Sequence, residues 1–364
     1  VRRDLLDEHL EDAAFLYARL RRSRRLLDGN ATQTRSLLSR IDAHLDALSV
    51  YGPHSVTIAG PPSEARGVGA RFVATFVAAR EGVGLETLLN TDLDHDGYCA
   101  VVDALERSPT AHARASADAW LAEGCDAARA VGVTALSRWR DPRAVKIATR
   151  AVKRGDGVLR AAGVSALAAQ GETVATGTVL DAMGGCRELG WRDEVLTAVA
   201  LAAPAVALEV ARQWSGARCD VAWVILGMSA DGGDASRLLD ALTMHGALGA
   251  LPAAVALAGA HGALDLAWEG AALPASNALR EAAYVVLGGE APPVVVRDDF
   301  AEEPEDTAQR AGEDVRLRAA LAGRERAAGR WGEAATVDGM RRAAVGLGPR
   351  PQGWCRVGLA MLGG

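Results

Sequence analysis

Apolar residues recur along this chain at steps of three and four, the period of a helix with one buried face. In residues 2–27, Leu6, Leu10, Ala13, Ala14, Tyr17 and Leu20 share one side. A second helix is expected from about Thr34, with Leu37, Leu38, Ile41, Leu45 and Leu48 on its inner face, ending at Gly52-Pro53. The stretch "PPSE" at 61–64 predicts a third start, carrying Phe72, Val73, Phe76 and Val77 toward a stop near Gly82.

From residue 125 onward the pattern itself repeats. "RAVGVTAL" (129–136) returns as "RAAGVSAL" (160–167), 31 residues later. Related apolar stretches follow at 194–204, 221–233, 249–262 and 279–289, keeping a period near 30. All but the last of these stretches are followed by a second amphipathic segment, at 142–154, 174–184, 204–214, 234–244 and 263–271, with Gly, Pro and Asp at the joints. Paired helices at this period predict an α-solenoid, because one pair cannot bury its own apolar face and must stack on the next. Arg129, Arg160 and Arg280 recur at one place in the repeat and are expected to pair with an aspartate of a neighbouring turn. Residues 291–315 are acidic and contain proline, and they predict a loop or insertion. The expected division is therefore a helical N-terminal cap over 1–60, a solenoid over 61–290, the insertion over 291–315 and a helical C-terminal cap over 316–364.

Composition supports an all-α chain. Of 364 residues, 49% are hydrophobic but only 4% aromatic, so the core must be built from Ala, Val and Leu, which suits close helix packing better than a sheet. The formal charge of −6 lacks the basic footprint of a nucleic-acid binder. The basic run "RLRRSRR" (19–25) is read as a helix C-terminus complementing its dipole. The uncharged stretch 246–264 is read as a buried helix pair rather than a membrane span, since Pro252 and His261 interrupt it. The five cysteines are scattered, which suits a reducing cytoplasm, and the opening residues do not predict a secretory signal.

"EHLEDAAFLYARLRR" (8–22), "LLSRIDAHLDAL" (37–48) and the "RAAGVSAL" units together resemble a family of bacterial HEAT-repeat proteins of unknown biochemical activity. Genes of that family often lie beside type VI secretion genes, such as those for spike and PAAR-like tip proteins. The residues carrying the match are Glu11, Ala13, Ala14, Phe15 and Leu16, then Asp42, His44, Leu45, Asp46 and Leu48. The resemblance implies HEAT-type pairs in a right-handed superhelix and a scaffold or adaptor role linked to secretion, and it supplies no catalytic residues. Many glycines and the acidic stretch 298–306 depart from the family pattern.

Candidate chemistry is sparse. "TDLDHDGYCAVVD" (91–103) imitates a calcium loop, with Asp92, Asp94 and Asp96 alternating, Gly97 next, and Asp103 at the twelfth place. Ala100 offers no side-chain oxygen and Asp103 is short for bidentate ligation, so a capping turn is expected, with Asp96 capping a helix over 97–107. His9 and His44, each beside carboxylates, are read as a polar helix edge because H-x-x-x-H and E-x-x-H spacings are missing there. No His-Glu dipeptide, phosphate loop or serine elbow occurs. No cofactor is expected. Trp139, Trp191, Trp214, Trp223, Trp268 and Phe300 are the candidate contacts for a protein partner. The rival expectation is an enzyme of lyase or modification type on the same fold.

Overall fold

A computed structural model describes residues 2–26, 31–216, 218–229, 232–246, 250–251 and 254–255. The described residues form helices joined by turns, with no strand among them. By density of contacts the chain divides into two units: residues 1–22 with 35–206, and residues 23–34 with 207–364.

The first unit opens with α1 (Arg3–Leu26), α2 (Ala31–Tyr51), the short α3 (Pro53–Ala59) and α4 (Val68–Glu81). The apolar faces expected of these segments are the ones buried. Leu6, Ala13, Tyr17 and Leu20 of α1 share a core with Leu37, Ile41, Leu45 and Leu48 of α2 and with Phe72, Val73, Phe76 and Val77 of α4. One expectation fails: "PPSE" opens no helix. Residues 62–64 form a turn and α4 begins at Val68, while the preceding Pro53 starts α3, where its missing N–H costs nothing. Gly82 closes α4 in the left-handed conformation, donating its N–H to the Ala78 carbonyl.

Helices then alternate between two rows. α5 (His95–Arg107), α7 (Asp126–Arg138), α9 (Gly157–Ala169) and α11 (Leu189–Ala202) form the inner row, their starts spaced by 31, 31 and 32 residues. The outer row is α4, α6 (Ala111–Glu123), α8 (Ala144–Arg154) and α10 (Thr176–Gly184). Each inner helix packs against its neighbours in the row and against an outer partner. α5 thus belongs to the repeat, one unit earlier than the sequence period reveals. Gly132 and Gly163 occupy the same place in α7 and α9. A Cβ at either would lie 3.0–3.1 Å from the backbone of the outer helix, at the Ala117 carbonyl for Gly132 and at Ala148 and Val152 for Gly163. The recurring "GV" is therefore a close-approach point.

The row also curls. Each packing step between helices spans about 8–10 Å, so three steps along a straight row would leave α5 and α11 far apart. Instead α11 meets α5 directly through their first turns.

In the second unit, the end of α12 (Pro204–Gln213) precedes α13 (Asp220–Met228) and α14 (Gly232–His245). α13 and α14 pack together, burying Ala222, Val224, Ile225 and Met228 with Leu238 and Leu242. Asp234, 2% exposed, accepts from Arg212 at 2.7 Å and from the Ser229 hydroxyl at 2.6 Å. Its carboxyl stays below the ordinary range because these bonds outweigh the upward push of burial. No described helix is long and apolar enough to cross a membrane.

Candidate functional site

The candidate site lies where α5 and α11 meet, and it grows from the turn that imitates a calcium loop. Asp94, not Asp96, is the N-cap of α5. Its Oδ1 accepts from the Gly97 N–H at 2.7 Å, so the helix starts two residues earlier than expected, at His95. That shift puts His95 on the first turn, above Tyr98 and Cys99, three and four residues on along one face. Another N–H of that turn is satisfied from α11's side: Glu188 Oε2 accepts from the His95 backbone at 3.0 Å.

Glu194, on the second turn of α11, completes the group. His95 Nε2 lies 2.9 Å from Glu194 Oε2 and 3.6 Å from Cys99 Sγ, and Cys99 Sγ lies 3.9 Å from the same oxygen. His95 and Cys99 are buried and Glu194 is partly so. Tyr98 donates or accepts at Thr134 Oγ1 of α7, 2.7 Å away, and reaches Glu194 Oε1 at 3.5 Å. Trp191 is 1% exposed and closes the inner side, with its ring centroid 5.2 Å from that of His95 and 4.2 Å from that of Tyr98. Gly190 is required here. A Cβ on it would lie 2.2 Å from His95 Nδ1, so any larger residue would push the imidazole out.

Burial, reinforced by the Glu194 carboxylate, pushes the Cys99 thiol up, and the same two influences push Tyr98 up further from ionising. Cys99 is thus no activated nucleophile. Nor is the group a nucleophile–base–acid relay. A relay needs thiol and carboxylate on opposite ring nitrogens, whereas both approach Nε2 and Nδ1 has no partner. What the group does offer is one nitrogen, one sulfur and one oxygen atom of metal-binding type within 3.9 Å of one another.

An ionic network adjoins this group on α5, one turn beyond Cys99. Asp103 accepts from Tyr17 at 2.9 Å and from Arg138 at 3.2 Å, and Arg138 also pairs with Glu106. Tyr17 is stacked on Phe72. Asp96 pairs with Arg21 at 3.3 Å, so at least one arginine of the basic run is an internal partner of α5. The calcium-like set is therefore dispersed: Asp94 caps, Asp96 and Asp103 bind arginines, and Asp92 is exposed before the cap. Asp94 and Asp96 also line a cleft of about 520 Å³ with Ser63, Glu64, Arg66 and Arg71. His9 and His44 do meet, Nδ1 to Nδ1 at 3.0 Å, and Asp12 lies 3.8 Å from His44 Nε2.

The repeat arginines act locally. Arg129 pairs with Asp126 at 3.5 Å and Arg160 with Asp156 at 3.4 Å, each aspartate lying at the start of the arginine's own helix. Arg192 occupies the same position in α11 and donates to the Cys186 and Arg187 carbonyls of the preceding turn. Among the tryptophans, Trp191 is corrected from candidate partner contact to interior wall, because it is buried against the rings of His95 and Tyr98. Trp139, Trp214 and Trp223 are half-exposed. Trp139 donates to the Leu105 carbonyl at 3.2 Å and lies under Arg114. Trp268, Arg280, Phe300 and the segments 291–315 and 316–364 lie outside the described residues.

No family model, curated protein or solved structure matches this chain.

Proposed function

We propose that this protein is a non-enzymatic interaction scaffold, an α-solenoid of HEAT-type helix pairs that curves tightly over its first four inner helices. The supporting observation is the regular inner row, whose helices begin every 31 or 32 residues from α5 through α11. Such stacking exists to build extended surface, and its inner face between α5 and α11 is filled by the protein's own side chains. Docking therefore falls to other surfaces, where the half-exposed Trp139, Trp214 and Trp223 are the anchors. A reducing, cytoplasmic setting fits the four described cysteines, all of them free thiols.

The partner class follows from the family resemblance: a type VI secretion spike, tip or effector protein. The lyase or modifying-enzyme reading draws on the convergence of polar atoms at His95, Cys99 and Glu194. It is weakened by the burial of His95 and Cys99. Pull-down of purified spike, tip and effector candidates on the immobilised chain decides between them. Capture that drops about tenfold or more when Trp139 is changed to Ala supports the scaffold. If nothing is captured while a small molecule raises the melting temperature, the enzyme reading replaces it.

A further inference from the structure

We propose that His95 Nε2, Cys99 Sγ and the Glu194 carboxylate form a three-ligand site for a divalent cation of zinc's class, which fastens α11 onto α5. The first argument is geometric. Tetrahedral zinc with one nitrogen, one sulfur and one oxygen ligand holds these atoms about 3.3–3.6 Å apart. The three separations in the structure, 2.9, 3.6 and 3.9 Å, straddle that range. A point about 2 Å from all three atoms therefore exists, which matches zinc–nitrogen and zinc–oxygen bonds and falls slightly short of a zinc–sulfur bond. A shift of a few tenths of an ångström in the Glu194 side chain completes the fit.

The second argument is the donor set. A thiol, an imidazole and one carboxylate select borderline cations, whereas calcium and magnesium require mostly oxygen. The site is therefore distinct in chemistry from the aspartate turn that precedes it. The third is the framework. His95 and Cys99 stand four residues apart on one helix face, and Glu194 reaches them from a helix far along the chain. Glu188 anchors the His95 backbone, Gly190 leaves room for its ring, Trp191 packs against that ring, and Tyr98 lies near the second Glu194 oxygen. Of these, the Tyr98 contact is the kind of outer contact that orients a metal ligand, whereas His95 Nδ1 has no such partner. Three protein ligands leave a fourth position for water or an outside donor.

The test uses the whole chain, stripped with a chelator and titrated with Zn²⁺ and, separately, Co²⁺. The expected results are one zinc bound per chain, a rise in melting temperature, and a thiolate-to-cobalt charge-transfer band. Cys99→Ser removes the band and weakens zinc by about tenfold or more; Glu194→Gln keeps the band and weakens zinc. The wild-type band does not depend on any variant folding. Its absence, or a wild type that binds no stoichiometric zinc, overturns the proposal. So does a band that survives Cys99→Ser, which would assign the thiolate to another cysteine. Stabilisation by Ca²⁺ but not by Zn²⁺ would also overturn it, moving the cation to the aspartate turn.

Discussion

α7 and α9 occupy the same row as α5 and α11, yet the two pairs are built for different purposes. At its seventh residue, α7 has Gly132 and α9 has Gly163, and the outer helices close in on them. The ninth residues, Thr134 and Ser165, are small, polar and buried. In α5 the same two places carry Val101 and Asp103, and the fourth place, an arginine in α7, α9 and α11, carries Tyr98. α11 keeps its arginine, Arg192, but adds Trp191 and Glu194 toward α5. A repeat position fixes where a side chain lies in the row. Whether that place is used for packing or for polar chemistry is decided by the residue put there.

The largest expected effect tests the wall of the polar group. Trp191→Ala removes a fully buried indole and should cost about 3–5 kcal/mol of stability, measured by denaturant unfolding. Trp191→Phe should cost under about 1.5 kcal/mol, since it keeps an aromatic cover and removes a buried indole N–H that has no acceptor. Equal losses in the two variants would mean the indole N–H matters and the description of the wall is wrong. On the packing side, Gly163→Val forces a branched side chain into a gap where even a Cβ sits 3.0 Å from the Ala148 carbonyl. It should cost about 1–3 kcal/mol by overpacking. A neutral outcome would show that α8 can slide away, and the contrast between the two helix pairs would lose its packing half.

The two halves of this comparison were not equally readable from the sequence. The period rests on Gly-Val-x-Ala-Leu, so α7 and α9 announce themselves and their outer partners fall near their expected limits. α5 hid because Tyr98, Val101 and Asp103 replace the residues that define the repeat, although its start keeps the spacing. The all-helical class followed from helical periodicity and from small apolar residues. The curl did not, because the meeting of α5 and α11 depends on side chains about a hundred positions apart, such as His95 and Glu194. The signal nearest to the site was His95-x-x-x-Cys99, a helical ligand spacing that a search confined to histidine and glutamate pairs passes over. Attention to the aspartates also misplaced the cap by two residues, which moved His95 out of the helix. Trp191 carried no mark separating interior wall from exposed anchor, since both roles favour tryptophan.

A pH scan probes the joint between α7 and α8, on the packing side. Asp141 accepts from the Arg143 backbone at 2.9 Å and from its Nε at 3.0 Å, with Arg114 3.8 Å away. The Arg143 guanidinium holds this carboxyl below its usual value. The folded value is depressed, so the pairing stabilises fully above the unfolded value near about pH 4 and is lost as pH falls through the folded value. Asp141→Asn should therefore lower the melting temperature at pH 7, and the gap to wild type should close below about pH 4. A gap that stays constant down to about pH 2 would show that charge plays no part in this joint.

The smallest expected effects come from the fourth residue of each inner helix, and they sharpen the comparison most directly. Arg160 donates to the Gly155 carbonyl at 3.0 Å and pairs with Asp156, whose side chain is 92% exposed. The ion pair is screened by solvent, so most of the value lies in the carbonyl bond, and Arg160→Ala should cost about 0.5–1 kcal/mol. Arg129 makes the Asp126 pair at 3.5 Å while its Nε is buried without an acceptor, so Arg129→Ala should cost less, under about 0.5 kcal/mol. Arg192 holds two carbonyls, at 2.6 and 3.0 Å, and its loss should be the costliest of the three. Denaturant midpoints of the three variants at equal slope give the order. The order Arg192, Arg160, Arg129 makes the arginine a bolt from each helix back to the turn before it, graded by the carbonyls it reaches. The reverse order would assign its value to the exposed aspartates instead. α5 dispenses with that bolt, because its fourth residue, Tyr98, is turned toward Thr134 and Glu194, and its first turn is held by Glu188 from across the row.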